Sequence, residues 1–500
     1  MGGTNRAQRT SLESSSGSLS GDNVSKAFLL EQNELENGLV TLKERGIMEA
    51  KTTSFTDRKP LKGVKFKVSS NRRFLTTQDG QPFFYLGDTA WTFLKRLNHE
   101  DADLYLKNRV AKGFTVIQSY LLRGLRGPNL YGDLPLRDKD PAKPNEPYFE
   151  NVDYIVKRAN DLGLVMGIVV CWGEHVRGGR SDEQVFSTSN AQVFGRFLGD
   201  RYKDNAVIWY LGGDRNPLDG KPIWSAMARG LKEGSGSSHL ISYHGPGDWE
   251  NPSSSYWFHN EDWLDFNVIQ SGHGWGIHNF EFVTHDYNLK PVKPTIDIEP
   301  RYENFPDVRT GTRKRMNAHQ SREAMYWAML AGAAGHGYGC NDIWQFYDEA
   351  VTPFWTGDEF TFPARFPTTN WRKAVDFAGA VGVGIGRKLF EMRPWYQMIP
   401  DQSAVVAGQG EGEDHIQAAR AVDGSFLVAY LTLGNPATID MTKVSASKVK
   451  AQWYDPREGN WKYIGEYLNT GTRKFAPPTH GEGNDWVLVL EDPGKNFPSN

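Results

Sequence analysis

The alternation of short apolar runs with helical stretches between Pro82 and about Arg387 most limits the folds open to this chain. Such alternation is typical of repeated β-α units on a parallel sheet. Eight units can be counted, and eight close into a (β/α)8 barrel. The predicted strands are Phe83–Leu86, Thr115–Leu121, Leu164–Trp172, Ala206–Leu211, Leu240–Tyr243, Phe266–Ile269, Thr295–Ile298 and His336–Trp344. The predicted helices are His99–Lys112, Val152–Leu162, Asn190–Tyr202, Pro222–Lys232, Asn317–Ala334 and Trp371–Phe390.

The fifth and sixth units are the weakest, because residues 248–265 are irregular in sequence. An open doubly wound sheet is the alternative to the barrel. It predicts a glycine-rich phosphate loop after the first strand, and neither GxGxxG nor GK[ST] follows Phe83–Leu86. The fold class predicted is therefore α/β, a TIM barrel.

The segments on either side of the barrel differ from it in composition. Residues 1–60 form a polar extension, predicted to be partly disordered with one amphipathic helix over Val24–Ala50 and a linker from Lys51 to Leu61. After about residue 389, short strands separated by turn residues predict an antiparallel β-sandwich. The predicted strands of this sandwich are Ser403–Ala407, Ile416–Ala421, Ser425–Leu431, Val449–Tyr454, Trp461–Tyr463 and Trp486–Leu490. The predicted domains are thus 1–60, 61–388 (including a hairpin of Phe66–Val68 and Phe74–Thr77) and 389–500.

Charge and hydropathy exclude several classes of partner. The 57 basic and 60 acidic residues are mixed along the chain and give a net charge of −3, so nucleic acid is not an expected partner. No stretch reaches the roughly 18 apolar residues of a membrane helix. The polar start lacks a secretory signal, which as given predicts a cytoplasmic protein, with the compartment and the oligomeric state left open.

The fourth predicted strand ends in two glycines and an acid, in the run from Ala206 to Pro217. In a barrel the C-terminal ends of the strands carry the working groups, so Asp214 is predicted to lie at the mouth. Gly212 and Gly213 would let the backbone turn sharply or a ligand approach closely. A strand that runs into a loop with a helix-capping aspartate is the simpler reading.

The seventh predicted strand ends similarly, in Thr295-Ile296-Asp297-Ile298-Glu299. Asp214 and Glu299 could then face each other across a ligand. Cleavage of a glycosidic bond needs such a pair, one acid to protonate the leaving oxygen and one carboxylate to attack or to activate water. Arg301 or Tyr302 could keep Glu299 ionised. A structural ion pair is the competing interpretation.

Acids, histidines, amides and tryptophans follow the other predicted strands, and we expect them to bind substrate. Aromatic rings are the faces on which sugars stack. Glu174 is the main rival for the role of catalytic acid, and Asp88 is as easily a turn cap as a sugar ligand. The predicted substrate-binding residues are Asp88, Trp91, Gln118, Trp172, Glu174, His175, His244, Gln270, His273, Trp275, Arg301, Tyr302 and Trp344.

No cofactor or metal is predicted. The histidines and acids do not form HExxH or another compact set of metal-ligand spacings. No GxSxG occurs, which disfavours a serine hydrolase. Cys171 and Cys340 lie far apart in strand-like runs and are predicted to be buried thiols.

The chain resembles the apiosidase-like glycoside hydrolases in three segments. These are FLTTQDGQPFFYLGDTAWTFLKRL near the first strand, YLGGDRNP at the fourth and PTIDIEPRYE at the seventh, and the resemblance spans roughly Lys65 to Asp492. It implies a (β/α)8 catalytic domain with a C-terminal β-sandwich that carries a collagen-binding label. It also implies a retaining, exo-acting glycosidase that releases apiosyl or similar sugars from plant-type glycans, with Asp214 as acid/base and Glu299 as nucleophile. Members usually have a secretion signal, which the polar start of this chain lacks.

Two other functions remain open from the sequence. One is a carbohydrate-binding protein that has lost catalysis. The other is a scaffold or adhesive protein that acts through the β-sandwich.

Overall fold

A computed structural model describes residues 55–178, 184–247, 251–307, 312, 314–350 and 367–499. Its centre is an eight-stranded parallel sheet in the order β8-β7-β6-β5-β4-β11-β10-β9, wound into a nearly closed barrel. This confirms the predicted α/β barrel. The two ends of the hydrogen-bonded order, β8 and β9, belong to the fifth and sixth units, the weakest in the sequence.

Each barrel strand is entirely buried, as strands with helices outside and side chains inside must be. The barrel strands are β4 Tyr85–Thr89, β5 Val116–Leu122, β6 Val165–Cys171, β7 Val207–Gly212, β8 Ile241–His244, β9 Asn267–Ile269, β10 Thr295–Asp297 and β11 Gly335–Gly339. The described α-helices are Phe93–Arg96, His99–Ala111, Glu146–Asp161, Glu174–Arg177, Thr188–Arg201, Lys221–Ser235, Ser255–Phe258, Asn279–Asn288, Ala318–Leu330, Asn341–Trp344, Trp371–Ala374 and Ala378–Glu391. None of these helices is both long and apolar enough to cross a membrane.

The predicted helix over Trp371–Phe390 is two helices, which meet at an extended Phe377. The second helix starts where the backbone N–H of Gly379 donates to both carboxylate oxygens of Glu303, at 3.0 Å each. A carboxylate at a helix N-terminus satisfies a free N–H group and complements the helix dipole. This tertiary contact has no local signal in the sequence.

A three-stranded antiparallel sheet precedes the barrel, formed by β1 Phe66–Val68, β2 Leu75–Thr77 and β3 Pro82–Phe83. The described part of the predicted linker is held on the barrel, because Leu61 N–H donates to Asn160 O and Arg58 donates to Phe114 O. The predicted helix over residues 24–50 lies outside the described residues.

Two antiparallel sheets follow the barrel and form the sandwich. One has the order β12-β14-β15-β20-β17-β18 and the other β13-β16-β19. Their strands are β12 Met398–Pro400, β13 Val405–Ala407, β14 Ile416–Ala421, β15 Phe426–Leu431, β16 Ala437–Asp440, β17 Lys448–Tyr454, β18 Trp461–Leu468, β19 Thr472–Phe475 and β20 Trp486–Glu491. The sequence missed β12, β16 and β19, each of three or four residues. The domain limits proposed from the sequence stay a prediction.

Candidate active site

Glu299 follows β10 and is held by three hydrogen-bond donors. Oε2 contacts Nε2 of His244 at 2.7 Å, and Oε1 contacts Nε2 of His273 at 3.2 Å. The hydroxyl of Tyr302 donates to Oε1 at 2.7 Å. Only 4% of Glu299 is exposed, so the carboxylate depends on these donors in place of water.

Both histidines also contact a backbone carbonyl through their other ring nitrogen. Nδ1 of His244 lies 3.0 Å from the oxygen of Gly245, and Nδ1 of His273 lies 2.9 Å from the oxygen of Pro300. A neutral imidazole has one N–H and can donate only once. His244 can donate to both of its oxygen neighbours only as an imidazolium, and that charge favours an ionised Glu299.

The pKa shifts agree with this geometry. Burial alone would raise the pKa of Glu299, but the hydrogen bonds and charges of His244 and His273 outweigh burial and hold this pKa well below its usual range. Burial alone would lower the pKa of His244, but Glu299 raises it overall. Burial and the charge of Glu299 raise the pKa of Tyr302, which therefore remains a donor. Glu299 is thus a buried, ionised carboxylate.

Asp214 follows β7 in a backbone conformation that is uncommon for a residue with a side chain. Its φ is +50°, after Gly212 at +80°. A Cβ at Gly213 would lie 2.7 Å from the ring of Trp172, and one at Gly212 would lie 2.6 Å from the backbone oxygen of His244. The glycines therefore admit neighbouring protein atoms, which corrects the expectation that they make room for a ligand. Strained φ values of this kind cluster at functional sites.

One carboxylate oxygen of Asp214 and one of Glu299 lie within 4.8 Å of each other, and a ring nitrogen of His244 lies within the same distance of both. In the described part of the chain, no group other than this one has the spacing to hold a metal ion. Both nitrogens of His244 are already engaged in hydrogen bonds, so a metal would have to displace one of them. Oδ1 of Asp214 is buried and has no partner among the described residues.

Tryptophans surround the two acids. The rings of Trp91 and Trp172 meet edge to face at 5.7 Å, and Trp91 lies 5.3 Å from the ring of His244. Nε1 of Trp91 donates to the hydroxyl of Tyr302 at 3.0 Å. The indole N–H of Trp172 is buried without a described partner, and Trp344 and Trp275 complete the same apolar cluster. Trp91 and Trp172 are almost fully buried, so their rings are packed around His244 and Gly213.

Glu174 lies beside Asp214 and forms an ion pair with Arg215 that the sequence did not predict. Its Oε1 accepts from Arg215 at 2.6 Å, while its buried Oε2 has no described partner. Burial raises the pKa of Glu174 against the opposing charges of Arg123 and Arg215. Arg123 also lies over the ring of Trp172, 4.1 Å from its centroid. The position of Arg215, next to Asp214 in sequence, was the available signal for it.

The structure does not bring Asp88 to this site, contrary to the expectation from the sequence. Asp88 is fully buried and accepts from the guanidinium of Arg109 at 2.5 Å and from the hydroxyl of Tyr105, both on the helix outside β4. Arg301 is likewise diverted, because it pairs with Glu323 at 3.2 Å. Both residues therefore have structural ion pairs.

Gln118 lies inside the barrel, with its polar atoms already bonded to Tyr85, Thr89 and the backbone oxygen of Ile298. This also departs from the expected contact with substrate. Three other predicted residues are buried close to the barrel mouth, namely His175, Gln270 and Trp344. Trp275 is half-buried, beneath the ammonium of Lys314.

Comparisons with known proteins agree with the barrel and the C-terminal sandwich. The model of the "Apiosidase-like, catalytic domain" matches residues 69–397, and that of the "Putative collagen-binding domain of a collagenase" matches 399–491. A solved glycoside hydrolase is 31% identical over 88% of this chain and 100% of its own, with a TM-score of 0.80. A glycoside hydrolase family 5 structure from Bacteroides vulgatus is 32% identical over 88% of this chain and 96% of its own, with a TM-score of 0.79. A comparison with curated proteins gives no match.

The fold and the comparisons define a glycosidase built on a TIM barrel, whose substrate is a carbohydrate. Within that class, the chain belongs to the apiosidase-like family.

Proposed function

We propose that this glycosidase is retaining and exo-acting and removes a terminal apiosyl or similar sugar from a plant-type glycan. Glu299 is the nucleophile and Asp214 the acid/base. The observation that carries the proposal is the approach of the two carboxylates to within 4.8 Å. Retaining glycosidases hold their carboxyl groups about 5 Å apart, whereas inverting ones need roughly 6.5 to 9.5 Å to admit a water.

In the first step, Oε of Glu299 attacks the anomeric carbon while Asp214 gives its proton to the leaving glycosidic oxygen. The C–O bond to the leaving group breaks and an ester bond from sugar to Glu299 forms. In the second step, Asp214 takes a proton from water, whose oxygen attacks the same carbon and releases Glu299. Two inversions leave the anomeric configuration unchanged.

The environments of the two acids support this division of roles. Glu299 accepts from three donors and is kept ionised, as an attacking carboxylate must be. Asp214 has an oxygen without a described partner, which leaves it able to exchange a proton with a ligand. Glu174 is already paired with Arg215, so we assign it to substrate contact on the side of the acid.

The experiment is to screen the purified protein for sugars released from plant polysaccharides and from aryl glycosides, and then to follow the first-formed anomer by proton NMR. We expect a single monosaccharide with the configuration of the substrate. Oligosaccharide products would contradict exo action, and an inverted first product would contradict the assignment of Glu299 as nucleophile. Binding of glycans without any turnover would instead favour the non-catalytic alternative.

A further inference from the structure

The helix Ala318–Leu330 lies between the segment that carries Glu299 and the C-terminal sandwich, and all but one of its residues are buried. On the sandwich side, Arg322 forms a two-pronged ion pair with Asp485 at 2.7 and 2.8 Å. The ring of Tyr326 stacks on that of Tyr430, with centroids 4.7 Å apart. The sandwich therefore packs on this helix through specific polar and aromatic contacts.

Trp327 of this helix contacts both sides. Its indole N–H donates to the hydroxyl of Thr432 and to the backbone oxygen of His415, at 3.1 Å each, and both residues belong to the sandwich. Its ring lies beneath the guanidinium of Arg301, 5.3 Å from the ring centroid. The position of this ring is thus set from the sandwich, and the ring supports Arg301.

Arg301 is two residues from Glu299 and is buried. Glu323 lies one helical turn before Trp327, and its carboxylate pairs with the guanidinium of Arg301 at 3.2 Å. Pro300 lies between Glu299 and Arg301 in the sequence. Its backbone oxygen contacts Nδ1 of His273, and Nε2 of the same ring contacts Oε1 of Glu299. A shift of Arg301 would therefore move the carbonyl that orients His273.

The strand before Glu299 has a similar connection. Asp297 accepts from the amide of Asn279 at 3.0 Å, and the next residue, Phe280, stacks on the sandwich residue His415 at 3.9 Å. Trp327 meets the ring of Phe280 edge to face at 5.2 Å. Both sides of Glu299 are thus connected to the sandwich through residues that contact Trp327.

We propose that the C-terminal sandwich is part of the catalytic unit, and that Trp327, held by Thr432, is a positioning residue that fixes the segment around Glu299. The proposal rests on the nucleophile role proposed for Glu299. Because a positioning residue does not itself bind the sugar, loss of Trp327 should lower kcat and leave KM nearly unchanged. If the sandwich had only a structural role, substitutions at this contact would change the amount of folded protein and leave kcat per folded molecule unchanged.

The decisive variant is Thr432→Val, which keeps the shape of the side chain and removes one of the two acceptors of the indole N–H, together with the hydrogen bond that Thr432 donates to the backbone oxygen of His415. Thr432→Ser keeps the hydroxyl and is the conservative rescue. Glu491→Gln is the matched control, because it breaks a second buried contact beside the sandwich, Arg393–Glu491 at 2.6 Å. Trp327→Phe is compared with Trp224→Phe, since Trp224 is equally buried and its indole N–H has no described partner.

Kinetics on an aryl apioside, per folded molecule, should show kcat of Thr432→Val reduced about tenfold with KM within about twofold. Thr432→Ser and Glu491→Gln should keep the kcat of the parent, although Glu491→Gln lowers the unfolding temperature. Hydrogen exchange over residues 299–303 should accelerate in Thr432→Val and Trp327→Phe but not in Glu491→Gln or Trp224→Phe. Equal kcat and equal exchange in Thr432→Val and Glu491→Gln would overturn the proposal.

Failure of the proposed function would look different. In that case the parent would hydrolyse no glycoside, or Glu299→Gln would keep its activity. The exchange comparison does not depend on turnover, so it would still show whether the sandwich fixes the segment around Glu299.

Discussion

Asp214 follows β7 and Glu299 follows β10, and carboxylate oxygens of the two acids lie within 4.8 Å of each other. The environments of the two carboxylates differ. Glu299 is surrounded by His244, His273 and Tyr302, and it does not have a positive φ. Asp214 takes a positive φ, and no described group forms a hydrogen bond with its Oδ1. One carboxylate is satisfied by the protein, and the other keeps an oxygen for a ligand.

The difference would account for the different roles proposed for two identical functional groups. A carboxylate that accepts several donors is stabilised in its charged form, which suits a nucleophile. A carboxyl group that gains and loses a proton in each cycle cannot be fixed in one charge state by the protein. Asp214 combines a positive φ with an Oδ1 that has no described hydrogen-bond partner, so the acid/base proposed here keeps that oxygen for a ligand.

Loss of Glu299 should have the largest effect. We expect Glu299→Gln to lower kcat/KM on an aryl apioside by about four orders of magnitude, because no covalent intermediate can form. Glu303→Gln is the matched control, since Glu303 is buried on the same segment and bonded to Tyr338. If Glu299→Gln and Glu303→Gln lost activity equally, the loss would reflect protein stability and not the role of Glu299 as nucleophile. Thermal melts of both variants would then show lowered unfolding temperatures.

Replacement of Asp214 should have a smaller effect that depends on the leaving group. General acid catalysis contributes about 100- to 10,000-fold, and activated leaving groups need it least. We therefore expect Asp214→Ala to slow hydrolysis of an alkyl glycoside far more than that of a dinitrophenyl glycoside. Added azide should restore turnover and yield a glycosyl azide.

The control for Asp214 is Asp219→Asn, in the same loop, where the carboxylate is exposed and pairs with Arg177. Equal losses of rate on good and poor leaving groups in Asp214→Ala would remove the assigned role.

Removal of one histidine should have an intermediate effect and sharpen the contrast between the acids. His244→Asn keeps a donor toward Glu299 but removes the charge, and we expect kcat to fall about tenfold. His273→Asn is the comparison, since it removes the second ring from the same carboxylate. A rise in KM alone, with kcat unchanged, would mean that His244 binds the sugar and does not support Glu299.

The same variant has a pH signature with a defined sign. The pKa of His244 is raised by Glu299, so the folded protein keeps that proton above the usual value of about 6.5. The contribution of the pair to the free energy of unfolding is complete below about pH 6.5 and is lost as the pH rises through the raised pKa. The gap in unfolding free energy between parent and His244→Asn should therefore shrink with rising pH, and denaturant titrations can measure it.

Chelation should have the smallest effect. The acids and His244 have spacing that a cation could use, but the ring is already hydrogen-bonded on both sides. We expect kcat and KM to remain unchanged after dialysis against EDTA. If activity fell after dialysis against EDTA and returned with a divalent cation, Asp214 and Glu299 would both be metal ligands. They would then not have the different roles proposed for them.

The sequence predicted seven of the barrel strands to within three residues at each end, because fully buried strands are continuous apolar runs. It extended the eighth strand to Trp344, whereas β11 ends at Gly339 and is followed by the helix Asn341–Trp344. It also predicted that Asp214 and Glu299 lie at strand ends. It misplaced Asp88 because the first strand was expected to stop at Leu86. In the structure β4 continues to Thr89, so Asp88 still follows the alternation of the strand and faces Arg109.

The three donors around Glu299, namely His244, His273 and Tyr302, were all predicted near the site. The pairing of each histidine with a backbone carbonyl was not predicted, because it depends on loops that meet only in the folded chain. Arg301 was expected to support Glu299 directly, and its actual partners, Glu323 and Trp327, lie on a helix more than twenty residues away. Local patterns contain no information on such contacts.

The contact between Gly213 and Trp172 has a consequence for how this family can diverge. Since any Cβ at position 213 would lie 2.7 Å from the indole, a lineage could replace this glycine only after the ring at 172 had become smaller. The two positions should therefore covary among homologues, with glycine at 213 wherever tryptophan stands at 172. A sugar pocket with a different wall would have to evolve by changing both together.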